Sequence, residues 1–253
     1  MKSLDLRMKN AYEFRYRYYL PRRSYVIIRI DQKAGHTYTR GLKKPFDEGY
    51  IKSFDAAAQA LVKEVQGARF AYVQSDECSV LLTDFDTVDT EAWFDNNIQK
   101  IVSVSASIFT AEFNRARFSY NIGVPRSIWV DEDESAEYYD AEEVKQFLKP
   151  IGYFDSRVFQ IPDREEVGNY FWWRCQDCFK NCISSYAQSV FSHKELHNKT
   201  TEERIQMLHE KGITEIPEYH KYGRVITRDG VSPAWRFADG RERLMNLIPV
   251  HGY

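Results

Sequence analysis

The sequence predicts an α+β fold of the split βαβ, ferredoxin-like kind: an antiparallel sheet with helices on one face, plus a helical C-terminal extension. Two observations carry this. Short runs rich in β-branched and aromatic residues alternate with longer amphipathic runs in the order β-α-β-β-α-β. The second and third strands are parted only by a tight acidic turn, so they pair as a hairpin.

Leu4 to Leu20 is rich in Arg and Tyr and reads as a helix ended by Pro21. Ser24 to Asp31 is the first strand. Asp47 to Gln66 is a helix, with Asp47 as N-cap behind Pro45 and Gly67 closing it. Arg69 to Gln74 and Cys78 to Thr83 form the hairpin. Glu91 to Arg115 carries Phe94, Ile98, Ile101, Val102, Phe109 and Phe113 along a second long helix. Tyr153 to Ile161, entered through Gly152 and ended by Pro162, is the last strand. Residues 1–162 are thus expected to form the sheet domain, with an insertion at about 117–150 holding an acidic run from Asp131 to Glu143. Residues 163–253 are expected to form an extension packed on it. That extension comprises a long helix from Arg164 to Phe191, a basic turn, a helix from Thr201 to Lys211 and a strand within Tyr219 to Thr227.

The composition is that of a folded protein, 43% hydrophobic and 28% charged, and the net charge of −2 excludes a uniformly basic nucleic-acid binder. The cations are clustered, however. Arg15, Arg17, Arg22 and Arg23 form one group, and Lys194, His197 and Lys199 another. Such clusters are solvated surface or local phosphate-binding patches. No apolar run approaches the roughly 18–20 residues of a membrane span, and MKSLDLRMKN lacks the apolar core of a secretion signal. A cytoplasmic location without a membrane partner is expected. Cys175, Cys178 and Cys182 stand at steps of three and four, which places them on one helix face. They read as core rather than as zinc ligands.

The chemistry is expected at the strand ends. The first strand finishes in Asp31, and the hairpin tip presents Asp76 and Glu77. A lone aspartate there is ordinarily a turn former. Two that meet in one sheet repel each other unless a hard divalent cation lies between them. Such a metal pair serves in-line phosphoryl or nucleotidyl transfer. Glu77 points to the opposite face from Asp76 and is a third catalytic carboxylate or a structural one. The loop Gln32-Lys33-Ala34-Gly35-His36 offers backbone amides to a triphosphate, and Lys44 and Lys100 are cations for its oxygens. On the late helix Arg174, Asp177, Asn181, Ser184 and Gln188 recur at steps of three and four. They form a polar stripe poor in Lys and Glu, which favours a buried polar contact or a ligand.

Several of these residues together resemble the tRNA(His) guanylyltransferase family. They are Arg29-Ile30-Asp31, His36, Lys44-Pro45, Tyr72-x-Gln74-Ser75-Asp76-Glu77, Phe154-Asp155-Ser156-Arg157-Val158 and Trp173-Arg174-x-x-Asp177-Cys178. The resemblance runs from about residue 24 to 224 and implies a polymerase-palm fold, two Mg²⁺ ions, and ATP and GTP as substrates. It places the metal ligands on Asp31, Asp76 and the backbone carbonyl of Gln32, where the family usually has glycine. It places nucleotide binding on residues 31–36, Ser75, Asp76, Lys44 and Lys100. Arg157, Arg174, Asp177 and Asn181 fall on positions expected to contact tRNA or its 5′ end. It also implies a homotetramer. Where eukaryotic members carry His-Ile-Asn-Asn-Leu-Tyr, this chain reads Phe179-Lys180-Asn181-Cys182-Ile183-Ser184. That departure resembles the bacterial and archaeal guanylyltransferase-like branch. The implied activity is ATP-dependent activation of a tRNA 5′-monophosphate and template-directed 3′→5′ addition that repairs truncated tRNAs. The alternatives are a dedicated guanylyltransferase adding one G, and a palm-fold nucleotidyl cyclase.

Overall fold

The computed structural model describes residues 3–122, 150–234 and 240–251. Its centre is an antiparallel six-stranded sheet. The strands are β1 (Tyr25–Gln32), β2 (Ala68–Gln74), β3 (Glu77–Thr83), β4 (Phe154–Ile161), β5 (Arg224–Ile226) and β6 (Val231–Pro233), in the order β4-β1-β3-β2-β5-β6. The first four strands in this order make the ferredoxin-like palm. The tail strands β5 and β6 extend its β2 edge, so the extension is woven into the sheet rather than only packed upon it.

Helices cover both faces of the sheet, not one. On the first face lie α3 (Glu48–Glu64) and α4 (Ile98–Ile122). Val26, Ile28 and Ile30 of β1 point into this layer and pack with Phe54, Leu61, Phe109 and Phe113. The intervening residues Tyr25 and Ile27 point the other way, onto Val167, Phe171 and Cys175 of α5 (Arg164–Val190) and Leu244 of α9 (Gly240–Leu247). Strands buried on both faces read as continuous apolar runs, which is why β1 lacks a polar alternation over most of its length.

The element ends follow local chemistry. Asp47 caps α3, its side chain accepting from the Tyr50 amide at 2.8 Å. The helix expected from Glu91 begins only at Ile98. Phe94, Asp95 and Asn96 hold left-handed backbone, and Asn97 Oδ1 then accepts from the Lys100 amide at 3.0 Å. It runs on to Ile122 rather than stopping at Arg115, so the expected insertion starts later than 117. The acidic run Asp131–Glu143 lies outside the described residues. The expected helix from Leu4 to Leu20 is instead α1 (Leu4–Ala11) and a 3-10 turn (Glu13–Tyr16), interrupted at Tyr12. No residue of α1 is buried, so nothing sustains a longer helix against the low propensity of its tyrosines. Within Tyr219–Thr227 only three residues are strand. α8 (Glu218–Lys221), begun at Pro217, takes the first part. The remaining helices are the short α2 (Gly35–Tyr38), α6 (His193–Leu196) and α7 (Thr201–Glu210).

Candidate active site

The β1 and β3 ladders bring the expected carboxylates to one end of the sheet. Asp31 lies directly opposite Glu77 on one side and Asp155 of β4 on the other. Asp76 occupies the β2–β3 turn, and its carbonyl accepts from the Gln32 amide at 3.1 Å. The turn needs left-handed backbone at Ser75, and the chain entering α2 needs it at Ala34. Two non-glycine residues in that region beside one pair of carboxylates are a concentration of strain of the kind that functional sites hold. Gly35 lies against Asp76 so closely that a Cβ there would collide with its Oδ2.

Electrostatics couple the pair. Partial burial pushes the Asp31 carboxyl above its ordinary range, the charge of Asp76 pushes it further, and Arg29 and Arg157 pull against them. Arg157 Nη2 stands 3.9 Å from Asp31 Oδ2, and its Nε 3.6 Å from Asp155 Oδ1. An all-oxygen site of two carboxylates that destabilise each other suits a hard divalent cation. Mg²⁺ in particular is held by one or two carboxylates with water and phosphate oxygens completing its shell. The carboxylates of Asp31 and Asp76 fit that description. The Gln32 side chain does not take part, because it is buried and accepts from Tyr50 OH at 2.6 Å. Among the described residues no group of three or more His, Cys, Asp or Glu side chains forms a metal cage.

Glu77 is buried under two arginines. Its Oε2 accepts from Arg29 at 2.6 Å and from Arg174 at 2.8 Å. Burial raises its carboxyl, and the two guanidiniums oppose that shift. This is the structural alternative that strand alternation left open: Glu77 ties α5 to the ends of β1 and β3. Arg174, expected as an RNA contact, is consumed by the same clamp and by Asp177 at 3.1 Å. Asn181 continues the stripe toward Asp177 at 3.4 Å.

A cavity of about 330 Å³ opens beside Asp76. Its walls are the α2–α3 region with His36, Lys43 and Lys44, the end of β2 and its turn with Gln74 and Ser75, and the C-terminal half of α5 with Asn181, Ser185 and Gln188. The tail closes it with Tyr219, His220 and Arg224. Gly35, His36, Lys44, Ser75 and Asp76, expected at a nucleotide, are brought together here with Asn181, expected at the tRNA 5′ end, while Asp31 and Gln32 do not line the cavity. Lys33 and Ala34 sit just outside it, and the Lys33 amide is spent on the Tyr153 carbonyl. Lys100 is not brought in. It lies on the first turn of α4, with its Nζ 5.5 Å from the Phe94 ring centre. It is Asn114, about four turns further along that helix, that bonds Gly152 near the site. Fourteen residues of helix separate the two, about 21 Å.

Sequence reading missed the tail's contribution. His220 stacks on Phe46 with centroids 4.3 Å apart, and its Nδ1 pairs with Tyr186 OH at 2.9 Å. Burial pushes the imidazole down to about 4, against the pull of Glu48. Arg224 is anchored by Asp55 at 2.5 Å. No local pattern announces these residues, because every partner that brings them to the palm, the β2–β5 ladder, Phe46, Glu48 and Asp55, is remote from them in sequence. Asp155 and Arg157 were more legible: two exposed charged residues alternate on a strand that pairs with Asp31.

The cysteines Cys175, Cys178 and Cys182 are buried and outside any disulfide, and burial pushes the Cys175 and Cys178 thiols up to about 12. Such thiols are inert at neutral pH.

Residues 6–162 match a sequence family described as tRNAHis guanylyltransferase, Thg1. The tRNA(His) guanylyltransferase of Saccharomyces cerevisiae is 26% identical over 222 residues, 81% of this chain and 83% of that protein. Two solved structures superpose on nearly the whole chain. A bacterial tRNA(His) guanylyltransferase (Thg1)-like protein in complex with ATP gives a TM-score of 0.80 at 36% identity, covering 98% of this chain and 100% of that one. A bacterial Thg1-like protein in complex with GTP gives 0.72 at 34%, with the same coverage.

Proposed function

The chain belongs to the tRNA(His) guanylyltransferase family and is a nucleotidyltransferase, and from that premise we propose that it extends tRNA 5′ ends in the 3′→5′ direction, restoring truncated tRNAs by copying the opposing strand. The observation that carries the reading is the placement of a nucleotide-sized cavity against Asp76, with Asp31 on the adjoining open face.

The reaction has two stages. An oxygen of the tRNA 5′-monophosphate attacks the α-phosphorus of ATP, forming a 5′–5′ anhydride and releasing pyrophosphate. The 3′-hydroxyl of an incoming nucleoside triphosphate then attacks the 5′-phosphorus of the RNA. The anhydride bond breaks and AMP leaves. Bound at Asp31, Asp76 and the Gln32 carbonyl, two Mg²⁺ ions would supply charge neutralisation and a more acidic attacking hydroxyl. The chain's own residues position the reactants. Lys43, Lys44 and His36 at the cavity wall take the triphosphate. Gly35 keeps the approach to Asp76 open. Asn181, Ser185 and Gln188 offer hydrogen bonds to the nucleoside. Arg157 receives the RNA 5′ phosphate beside Asp31. Glu77 holds Arg29 and Arg174 in place behind them.

Template direction rests on the Phe179–Ser184 block. Phe179 stacks on Tyr222 and Cys182 is buried, so this turn of α5 is spent largely on packing. An enzyme that selects one tRNA by protein contacts needs recognition groups. One that repairs ends can let base pairing place the incoming 3′-hydroxyl. The test compares addition of G opposite C with addition of G opposite A on otherwise identical tRNAs lacking their first nucleotide. Strong preference for the paired base across several tRNA identities is expected. Equal rates, or activity confined to histidine tRNA, return the chain to single-G addition, and cyclic nucleotide without extended RNA makes it a cyclase.

The same reading includes self-association, with a homotetramer as the expected form and a cytoplasmic location. Among the described residues, α1, the following turn and the segment after it expose Leu4, Leu6, Tyr12, Tyr16 and Tyr18. An eight-residue helix without a packing partner is marginal in water, and a second copy covering it would stabilise it.

A further inference from the structure

Trp173 is an exposed aromatic in a rigid setting. It is 52% exposed, while Arg174 beside it is 5% exposed. The Arg174 guanidinium lies 4.5 Å from the centre of the indole ring. Tyr170 meets the ring at 6.1 Å and 66°, and its hydroxyl is fixed on Ser79 at 2.8 Å. Arg174 is itself pinned by Glu77 and Asp177. The indole is thus held in place without being covered, so a partner stacking on it incurs little ordering cost.

Its position gives the exposure a meaning. Arg174 bonds Glu77, which faces Asp31 in the β1–β3 register, and Ser79 faces Arg29. Asp31, Asp155 and Arg157 lie on the same face of the sheet, and α5 leaves them open: the side chains of Asp155 and Arg157 are more than half exposed. A cation, a reactive carboxylate and a flat aromatic surface therefore line one open face, while the triphosphate cavity is entered beside Asp76.

We propose that Trp173 is the platform on which the terminal base at the RNA 5′ end stacks, orienting its phosphate toward Arg157 and Asp31. The inference rests on the tRNA reading above. Every base has a π-face, so stacking holds an end whose first nucleotide differs from one RNA to the next. It also fixes the end without reading it, leaving nucleotide choice to pairing. Arg174, behind the ring, adds a cation–π contact that keeps the indole plane set.

The test uses the full chain and an acceptor-stem RNA hairpin with a 5′-monophosphate, truncated by one nucleotide. Trp173→Ala should raise the KM for RNA roughly 5- to 100-fold, with nucleotide affinity, melting temperature and sedimentation unchanged. Trp173→Phe should recover most of the loss. Removing the terminal base from the RNA should weaken binding to the wild-type chain but add little to the defect of Trp173→Ala, because both changes remove one contact. An unchanged KM in Trp173→Ala overturns the proposal, as does full additivity of the two changes. A loss that tracks dissociation of an oligomer overturns it too and makes Trp173 an interface residue. If the wild-type chain neither binds nor extends the RNA, the functional reading fails first, and the platform with it.

Discussion

Asp31 ends a strand and Asp76 sits in a hairpin turn, and each is unexceptional alone. Together they place two negative charges at one end of the sheet, and the charge of Asp76 raises the Asp31 carboxyl. On the proposed function, in which the same carboxylates serve both stages, Asp31→Ala and Asp76→Ala should each lower both activation and addition by more than about a hundredfold. Neither side chain supports the core, so melting temperatures should stay close to wild type. Near-normal turnover of either variant in Mg²⁺ buffer would reject the assignment. His220 carries a different prediction. Its folded imidazole titrates at about 4, below the usual 6.5, because it is buried. Between those values the unfolded chain binds a proton that the folded chain refuses. The stability it contributes is therefore complete above about pH 6.5 and is lost as pH falls toward 4. Thermal melts at pH 7.5 and 5 should show a smaller acid-induced drop in His220→Gln than in wild type; an equal drop would assign the acid sensitivity elsewhere.

Elements are joined by few but deep contacts. Strand β5 is only three residues long, yet it completes the β2 edge and carries Arg224 to Asp55 of α3. Both side chains are nearly buried, and burial raises the Asp55 carboxyl against the pull of Arg224. Removing one partner leaves the other charge desolvated. Arg224→Ala should cost about 3–5 kcal/mol in urea unfolding and loosen the cavity wall formed by the tail. A loss under about 1 kcal/mol, the size of an exposed ion pair, would mean that the ladder alone holds β5. Helix α5 is joined in the same manner through Arg174 and Glu77, and the rest of its polar stripe faces the cavity with Asn181 and Gln188 or bonds Arg204 through Ser184.

At the scale of the molecule, charge and apolar surface are unevenly placed. Residues 1–23 hold seven Lys or Arg and two Asp or Glu, in a chain whose net charge is −2. That segment also holds α1, which packs nothing of its own. If it joins copies of the chain, deletion of residues 1–16, which stops short of the Tyr18 and Leu20 bonds to the start of α4, should lower the sedimenting mass while leaving the far-ultraviolet signal of the sheet and long helices in place. An unchanged mass would show that other surfaces make the assembly. Among the described residues no helix is long and apolar enough to cross a membrane.

The palm was legible because its signals are local. Strand runs, the acidic turn, the Asp47 cap and the helical spacing of Phe109 and Phe113 each depend on residues a few positions apart. The pairing of Asp31 with the hairpin followed from strand order alone. Element boundaries were less so: the left-handed backbone at Phe94–Asn96 and the break at Tyr12 are set by neighbours from elsewhere in the chain, or by their absence. Tertiary structure alone decided three things. It turned Glu77 and Arg174 into a buried clamp. It carried His220 and Arg224 into the cavity, and it left Lys100 at the far end of α4. Each depends on contacts between residues remote in sequence, and the free energy of burying or pairing a charge is fixed by what surrounds it, which no local pattern records.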